Sequence, residues 1–168
     1  EFMLCANETV AEHYFWLEVP FLYRVHEEPK EENLQDVNKS LQAFGYTLKY
    51  ANGTVHPKAY QSIVDAVHGT PEEKTINSVL LRSMQHARYD TEPLGHFGLS
   101  AKYYSHFTSP IRRYPDLAIH RVIKECLHQG DKLGDKRLQT LSRKMDNYAE
   151  QSTIREKVAE EAERESVD

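Results

Sequence analysis

A chain of 168 residues has the length of a single domain and can bury a sizeable core. Hydrophobic residues make up 39% of it and charged residues 28%, a composition that excludes a membrane span and argues against wholesale disorder. The formal net charge of -5 argues against a uniformly basic surface, so the distribution of Lys and Arg matters more than their sum.

The first residue and the cysteines give two further expectations. Glu1 is not an initiator methionine, and three further glutamates interrupt residues 1–19, so this stretch is no signal peptide and we expect an internal segment of a longer protein. The only cysteines, Cys5 and Cys126, form no CxxC pattern. This argues against a disulfide framework or a zinc ribbon and favours the reducing cytoplasm.

The first third of the chain predicts two helices joined by an extended segment. Apolar residues recur at helical spacing over residues 2–17, and Pro20 ends that pattern. Residues 21–26 are rich in aromatic and β-branched side chains and predict a short strand. An apolar stripe over residues 31–44, followed by Gly45, predicts a second amphipathic helix.

The next stretch predicts a hairpin and a third helix. Asn52-Gly53 within residues 46–55 favours a tight turn between two short strands. Pro57 suits the first position of a helix whose apolar side extends to Gly69.

A capping box predicts where a fourth helix starts. Thr70 can accept from the backbone at the N-cap, Pro71 fits the first helical position, and Glu73 completes the box. The apolar pattern extends this predicted helix to about residue 88.

A turn and a fifth helix are predicted near Ser109-Pro110, where a side-chain acceptor precedes a proline. Pro115 removes a backbone donor and disfavours helical geometry in the residue before it. We therefore predict a short turn over residues 111–113, a break, and a helix over residues 115–127.

The tail predicts one long helix over residues 135–165. Its apolar stripe shrinks from large to small or polar residues: Leu138, Leu141, Met145, Tyr148, Ser152, Arg155, Ala159 and Ala162. Small residues indicate a helix that packs closely against another element or lies beside a channel, because a free coiled coil favours Leu or Ile throughout. The whole pattern predicts a mainly α fold with a few short strands.

Two adjacent arginines, Arg112 and Arg113, are the strongest chemical signal in the chain. A guanidinium is always charged and can grip a phosphate through two hydrogen bonds. The alternative is a surface ion pair with Asp116. Asp116 and His120 share a helix face, and they either orient an arginine or stabilise the helix.

Aromatic and histidine residues near this pair allow other interpretations. Tyr103, Tyr104 and Phe107 could stack on bases in a single-strand channel, although core packing is expected for at least two of them. The chain contains nine histidines but no H-E-x-x-H pattern. Structural or surface histidines are therefore a better reading than a metal site.

The stretch 96–120 reads HFGLSAKYYSHFTSPIRRYPDLAIH. Its defined positions are His96-Phe97-Gly98-Leu99, Tyr104-Ser105, Phe107-Thr108-Ser109-Pro110-Ile111-Arg112-Arg113-Tyr114, Asp116 and His120. This pattern resembles the signature of the ribonuclease II / ribonuclease R family. Within it, the sequence RRYPDL is more similar to the bacterial ribonuclease R branch. The runs Glu1-Phe2-Met3-Leu4-Cys5-Ala6-Asn7 and Pro20 to Pro29 also look like that family, so the resemblance covers essentially the whole chain.

The resemblance implies a processive 3′→5′ exoribonuclease that threads single-stranded RNA through a channel and releases nucleoside 5′-monophosphates. It implies that Arg112 reaches the scissile phosphate and that Glu1 lies near the ribose, where a carboxylate can accept from a 2′-hydroxyl. Arg113, Tyr104 and Glu163 are the remaining RNA-binding candidates, Glu163 because it resembles the family's late glutamate.

The same resemblance implies that the chain is incomplete. Family enzymes use Mg²⁺ ions held by an aspartate cluster, and that cluster precedes the segment that starts at Glu1. We therefore expect the helical C-terminal half of a larger α/β RNB-type catalytic domain, without the aspartate cluster and the RNA-binding barrels. The expected partners are the N-terminal half, the flanking RNA-binding domains and single-stranded RNA; no metal site is expected in the chain, which is expected to be inactive alone.

Two rival functions and one further property remain open. The chain could be an RNA-binding module without catalysis, or a helical interaction domain that uses its tail as a coiled coil. A catalytic domain cut in half should also expose apolar surface along its first helix and signature region. Self-association is therefore expected.

Overall fold

The computed structural model describes residues 1–130 and 132–167, and these residues form a mainly α fold, as the sequence predicts. The regular elements are α1 (Phe2–Trp16), β1 (Tyr23–Val25), α2 (Glu31–Gln42), α3 (Pro57–Val67), α4 (Glu73–Ser83), β2 (Arg88–Asp90), a 3₁₀ turn (Phe97–Leu99), α5 (Tyr114–Gln129) and α6 (Asp135–Val167). They divide into two compact units.

The first unit comprises residues 1–25, 87–96 and the described part of 101–168, and it contains α1, α5, α6 and the sheet. β1 and β2 pair antiparallel, with Arg24 opposite Tyr89. The helices contribute buried residues at spacings of three or four, which place them on one face of each helix. The main contributors are Ala11 and Tyr14 of α1, Ala118, Ile119, Val122 and Cys126 of α5, and Leu141, Met145 and Ala149 of α6.

The second unit comprises residues 26–86 and 97–100 and contains α2, α3 and α4. Each helix buries one apolar stripe, and Leu48, Val55 and Phe97 complete the core. The stripes are Leu34, Val37 and Leu41 of α2, Tyr60, Ile63 and Val67 of α3, and Ile76 and Leu80 of α4. The Tyr60 hydroxyl and the Ser83 hydroxyl share a hydrogen bond of 2.8 Å inside this core.

The predicted capping box at Thr70 and Glu73 is wrong. Both side chains instead close the turn between α3 and α4: the Thr70 hydroxyl donates to the Val67 carbonyl, and a Glu73 carboxylate oxygen accepts from the Gly69 N–H at 2.8 Å. The helix therefore begins at Glu73, and Glu72 at its N-cap makes no side-chain cap.

The predicted extension of this helix to residue 88 is also wrong. α4 ends at Ser83, whose hydroxyl donates back to the Leu80 carbonyl at 2.6 Å. Arg88–Asp90 forms β2 instead, because it finds a strand partner in Tyr23–Val25. Pairing with β1 decides the structure of this segment, because intrinsic helix and strand propensities are weak and tertiary contacts override them.

The hairpin predicted over residues 46–55 is reduced to its turn. Asn52 and Gly53 both have positive φ, at 53° and 76°, which is the geometry of the predicted Asn-Gly turn. A single bridge joins Ala51 and Thr54, and the flanking residues extend into no regular strand.

α5 and α6 form close to the predicted bounds. α5 begins at Tyr114 with Pro115 in its first turn and ends at Gln129, and the following Gly130, with φ of 66°, caps the helix in the left-handed conformation. The α6 residues 157–166 are exposed. Among the described helices, none is both long enough and apolar enough to cross a membrane.

Truncating Leu141 should destabilise the first unit, because this side chain is 3% exposed between α6 and the core. We expect Leu141→Ala to lower the free energy of unfolding by about 2–5 kcal/mol through lost contacts and a residual cavity. Leu127→Ala is the matched control, since Leu127 is exposed on α5, and should change stability by less than about 0.5 kcal/mol. Urea denaturation measures both, and equal losses would contradict the described core.

Candidate active site

The stretch that carries the two arginines folds as an irregular segment, residues 105–113, called here the signature loop. It enters from the core at Ser105, whose buried hydroxyl donates to the Leu22 carbonyl at 2.7 Å. It leaves through a turn in which the backbone N–H groups of Arg112 and Arg113 both donate to the Ser109 carbonyl. Because the loop lacks the regular backbone hydrogen bonds of a helix or a sheet, side chains from other elements must form hydrogen bonds with its backbone groups.

Asp116, in the first turn of α5, anchors the end of the loop. This carboxylate is fully buried, accepts from the Ser109 N–H at 2.8 Å, and forms a two-pronged ion pair with Arg113 through Nε and Nη2, both at 2.9 Å. The helix dipole also favours a carboxylate at this position. Asp116 thus holds the loop and Arg113 together.

His120, one turn further along α5, supports the beginning of the loop. Its Nε2–H donates to the Phe107 carbonyl at 2.8 Å, and its ring stacks on the Phe107 ring with centroids 4.4 Å apart. A second support comes from α1, where the Asn7 side chain accepts from the Phe107 and Thr108 N–H groups. Asp116 and His120 therefore both hold the loop against α5.

Arg112 differs from its neighbour Arg113 in what its side chain contacts. The Arg113 side chain forms an ion pair with Asp116. Arg112 is exposed, and within residues 1–130 and 132–167 its side chain makes no hydrogen bond or ion pair. The adjacent Ile111 is exposed as well. The loop therefore presents one guanidinium to solvent with all five of its donors available.

A buried network behind the loop was not found from the sequence. The Tyr89 hydroxyl and His106 Nδ1 share a hydrogen bond of 2.8 Å, and the Arg24 guanidinium lies 4.7 Å from the Tyr89 ring centroid. Arg24 also forms a two-pronged ion pair with Glu156 of α6. Burial, with the positive charges of Arg113 and Arg24, lowers the pKa of His106 from 6.5 to about 3. Burial raises the pKa of Tyr89 from 10.0 to about 12, so the hydroxyl keeps its proton beside the neutral imidazole.

Tyr104 lies inside the first unit. It is 6% exposed, its hydroxyl accepts from Asn7 Nδ2 at 3.0 Å, and its ring faces the edges of His96 and His106. Little of the ring is left for a base to stack on, so the structure supports core packing here. Contact between Tyr104 and RNA remains a prediction.

The two glutamates predicted from the resemblance are both exposed. Glu1 precedes α1 and makes no side-chain cap, and Glu163 lies on the exposed part of α6. Their roles in RNA binding remain predictions. Phe2 is 95% exposed and Leu4 is exposed too, which agrees with an apolar surface at the start of α1. Self-association through it is untested.

The described residues do not fit a metal centre. Among them, no three His, Cys, Asp or Glu side chains come together as a potential metal site. The buried carboxylate Asp116 already has an arginine and a backbone N–H as partners. The chemistry that this arrangement offers is therefore the binding of an anion by Arg112.

Comparison with known proteins agrees with the signature. The family model described as the RNB domain matches residues 1–129. Ribonuclease R of Thermotoga maritima is 41% identical over 163 residues, which is 97% of this chain and 23% of that protein. Mycoplasma genitalium RNase R in complex with double-stranded RNA has a TM-score of 0.89 at 30% identity, over 98% of this chain and 29% of that one. Yeast Ssd1, a pseudonuclease, has a TM-score of 0.73 at 27% identity, over 91% of this chain and 19% of that one.

The fold and the signature loop thus define a segment of a nuclease-like catalytic domain, and the chain belongs to the RNB domain family. Its relatives include proteins named ribonuclease R, and the chain spans about a quarter of their length. The resemblance recognised in the sequence is confirmed.

Replacing the two neighbouring arginines should have very unequal effects on stability. Arg113→Ala leaves the fully buried Asp116 carboxylate without its counter-charge, and we expect a loss of about 3–5 kcal/mol in the free energy of unfolding. Arg112→Ala removes an exposed side chain and should change stability by less than about 0.5 kcal/mol. Chemical denaturation of the two variants tests this, and similar losses would show that the ion pair does not form.

Stability should fall on mild acidification because of His106. The folded chain holds the pKa of this imidazole near 3, whereas the unfolded chain has the ordinary value of 6.5. Below about pH 6.5 the His106 imidazole is therefore protonated in the unfolded state but not in the folded state. The contribution of His106 to the free energy of unfolding is present above that pH and is lost as the pH falls towards 3.

The measurement is the free energy of unfolding between about pH 7 and pH 5, a range above most carboxylate titrations. His106→Gln should remove part of the slope that the unmodified chain shows. His128→Gln, which replaces an exposed histidine on α5, is the control and should leave the slope unchanged. An unaltered slope in His106→Gln would contradict a neutral buried imidazole.

Proposed function

We propose that the chain is part of the catalytic domain of a 3′→5′ exoribonuclease that hydrolyses single-stranded RNA to nucleoside 5′-monophosphates. In this proposal Arg112 grips the scissile phosphate. The observation that carries it is the exposed Arg112 side chain, which lies on a loop fixed by buried contacts and has no partner among the described residues. RNB family membership supports the reaction class.

The physical argument concerns charge that develops on the phosphate during hydrolysis. A guanidinium can donate two parallel hydrogen bonds to two phosphate oxygens. Donors held in place before the reaction stabilise the transition state without reorganising. Arg113 is a weaker candidate for this role than Arg112, because two of its N–H groups already bind Asp116.

The proposal assigns the metal ions to residues other than these. Family resemblance implies Mg²⁺, which would supply Lewis-acid stabilisation and an activated water. The described residues offer no suitable cluster of ligands. Under the proposal the metal ligands belong to the rest of the RNB domain. That part and the flanking RNA-binding domains are the proposed partners of this chain, and the proposed location is the cytoplasm.

Discrimination between RNA and DNA is assigned to Glu1, whose carboxylate could accept from a 2′-hydroxyl. Glu163 would lie beside the RNA, although it would not touch the reacting phosphate. The RNA bound to Mycoplasma genitalium RNase R supports RNA as the class of substrate.

A second candidate function is RNA binding without catalysis. It is favoured by the structural similarity to yeast Ssd1, a pseudonuclease. The two candidates differ in one measurement on the complete protein, the release of mononucleotides in the presence of Mg²⁺. Release establishes the exoribonuclease, whereas salt-sensitive RNA binding without release favours the second candidate.

In the complete enzyme, Arg112→Ala should lower kcat while leaving RNA affinity nearly unchanged, since only contacts that strengthen in the transition state accelerate the reaction. We expect a loss of about 10²- to 10³-fold in kcat. Arg112→Lys should restore part of it, because an ammonium keeps the charge but not the two-pronged geometry.

Single-turnover kinetics on a short single-stranded RNA, beside equilibrium binding without metal, separate the two effects. Arg143→Ala is the matched control, because Arg143 is an exposed arginine on α6. It should leave kcat unchanged. A defect in Arg112→Ala that is confined to binding, or an equal defect in Arg143→Ala, would mean that Arg112 only adds positive charge.

The 168-residue chain alone should not hydrolyse RNA, because the described residues form no metal site. Incubation of single-stranded RNA with highly purified chain and Mg²⁺ or Mn²⁺ measures this. Mononucleotide release that follows the protein through purification would contradict the proposed division of the active site.

A further inference from the structure

A buried carboxamide on α1 contacts the signature loop, although a hundred residues of sequence separate them. Asn7 is 3% exposed. Its Oδ1 accepts from the backbone N–H groups of Phe107 at 3.0 Å and Thr108 at 3.3 Å, and its Nδ2 donates to the Tyr104 hydroxyl at 3.0 Å. We propose that Asn7 is a positioning residue: it fixes the loop backbone that presents Arg112, and it acts on catalysis through Arg112 without touching RNA. This role rests on the proposed function.

The orientation of the Asn7 amide follows from the chemistry of its partners. A backbone N–H can only donate, so the two loop N–H groups must face the carbonyl oxygen of the side chain and not its amino group. The amino group is then directed to the Tyr104 hydroxyl, which can accept. The two backbone N–H groups therefore decide the orientation, and the Tyr104 hydroxyl is compatible with it.

Two successive N–H groups that bind one oxygen also determine the shape of the loop. In an extended backbone, successive N–H groups point to opposite sides. A single acceptor can serve both only where the chain turns, and the backbone bends at Thr108. Asn7 therefore selects a bent conformation at this point in preference to an extended one.

The contacts of Asn7 and Asp116 are adjacent in the loop. Asn7 accepts from residues 107 and 108, and Asp116 accepts from Ser109, so buried side chains bind three successive N–H groups. The carbonyl of Ser109 in turn accepts from the backbone N–H of Arg112 at 3.3 Å. The Asn7 side chain is thus linked to the backbone of Arg112 by these hydrogen bonds and by the short backbone segment between Thr108 and Ser109.

Loss of the Asn7 oxygen would leave two loop N–H groups without their partner, and the loop would shift or fluctuate to find another. A misplacement of about 1 Å can cost about 10²-fold in rate. RNA affinity should change little, because Asn7 is buried and the exposed charges of the chain are unaltered.

The test is a double-mutant cycle in the complete enzyme. We expect Asn7→Ala to lower kcat by about 10- to 10²-fold with RNA affinity nearly unchanged. When Arg112 is already alanine, the same change should lower kcat by less than about threefold, because residues that act as a unit are not additive. Leu141→Ala, which removes a core side chain of the same unit, should leave kcat of the folded enzyme unchanged.

Conservative variants separate hydrogen bonding from packing. Asn7→Asp keeps an oxygen for the two N–H groups, and the Tyr104 hydroxyl can turn to donate to it, so part of kcat should return. Asn7→Leu keeps the approximate size but has no acceptor and should behave like Asn7→Ala. Full activity in Asn7→Leu would overturn the proposal.

Amide hydrogen exchange in the 168-residue chain tests the same contacts without measuring enzyme activity. The Phe107 and Thr108 N–H groups should be protected, and Asn7→Ala should accelerate their exchange selectively, whereas Leu141→Ala should not. Unchanged exchange, or a kcat loss that adds fully to that of Arg112→Ala, would overturn the positioning role. If Arg112→Ala leaves kcat unchanged, the proposed function fails and the catalytic role of Asn7 with it, and the exchange result still reports whether Asn7 holds the loop.

Discussion

The burial of one carboxylate, Asp116, is the constraint on which the signature loop depends. Placing a charge in a protein interior is strongly unfavourable unless an opposite charge and hydrogen bonds replace the lost water. Arg113 and the Ser109 N–H supply these partners, and both lie in or beside the loop. The loop therefore cannot move away from α5 without leaving this carboxylate unpaired, which is why an irregular segment can hold a fixed shape.

This constraint gives two adjacent arginines different roles. Asp116 follows Arg113 by three residues and Arg112 by four, and both spacings permit an ion pair on a regular helix. The chain is not yet helical at these positions: Arg113 is extended, with φ of -128° and ψ of 121°, and only its side chain turns back onto Asp116. The sequence indicated a basic pair and offered an ion pair with Asp116 as the alternative. It could not assign the pair to Arg113, because that depends on the backbone geometry of the preceding turn.

The parts of the fold that were predicted are those that local patterns specify. Periodic apolar residues located α1, α2, α3, α5 and α6 closely, and family motifs located the loop. Of the misassigned parts, the capping box at Thr70 and Glu73 failed locally, because both side chains bind the end of α3 instead. β2 depends on a distant partner, because it forms by pairing with β1. The contacts behind the loop are of the same kind, since Arg24 meets Glu156 and Asn7 meets Phe107 across more than half of the chain. Spacing in a sequence carries no information about such pairs.

The contacts that shape the loop and the group that it presents belong to different physical classes. The shaping contacts come from the buried side chains of Asn7 and Asp116 and from His120, and they support one another within the fold. The presented group, Arg112, is exposed and contributes little to stability, so it could change without disturbing the loop. A fold shared by proteins named ribonuclease R and by a pseudonuclease is understandable on these terms. In this chain the exposed side chain of Arg112 can therefore change independently of the buried polar contacts that fix the loop backbone.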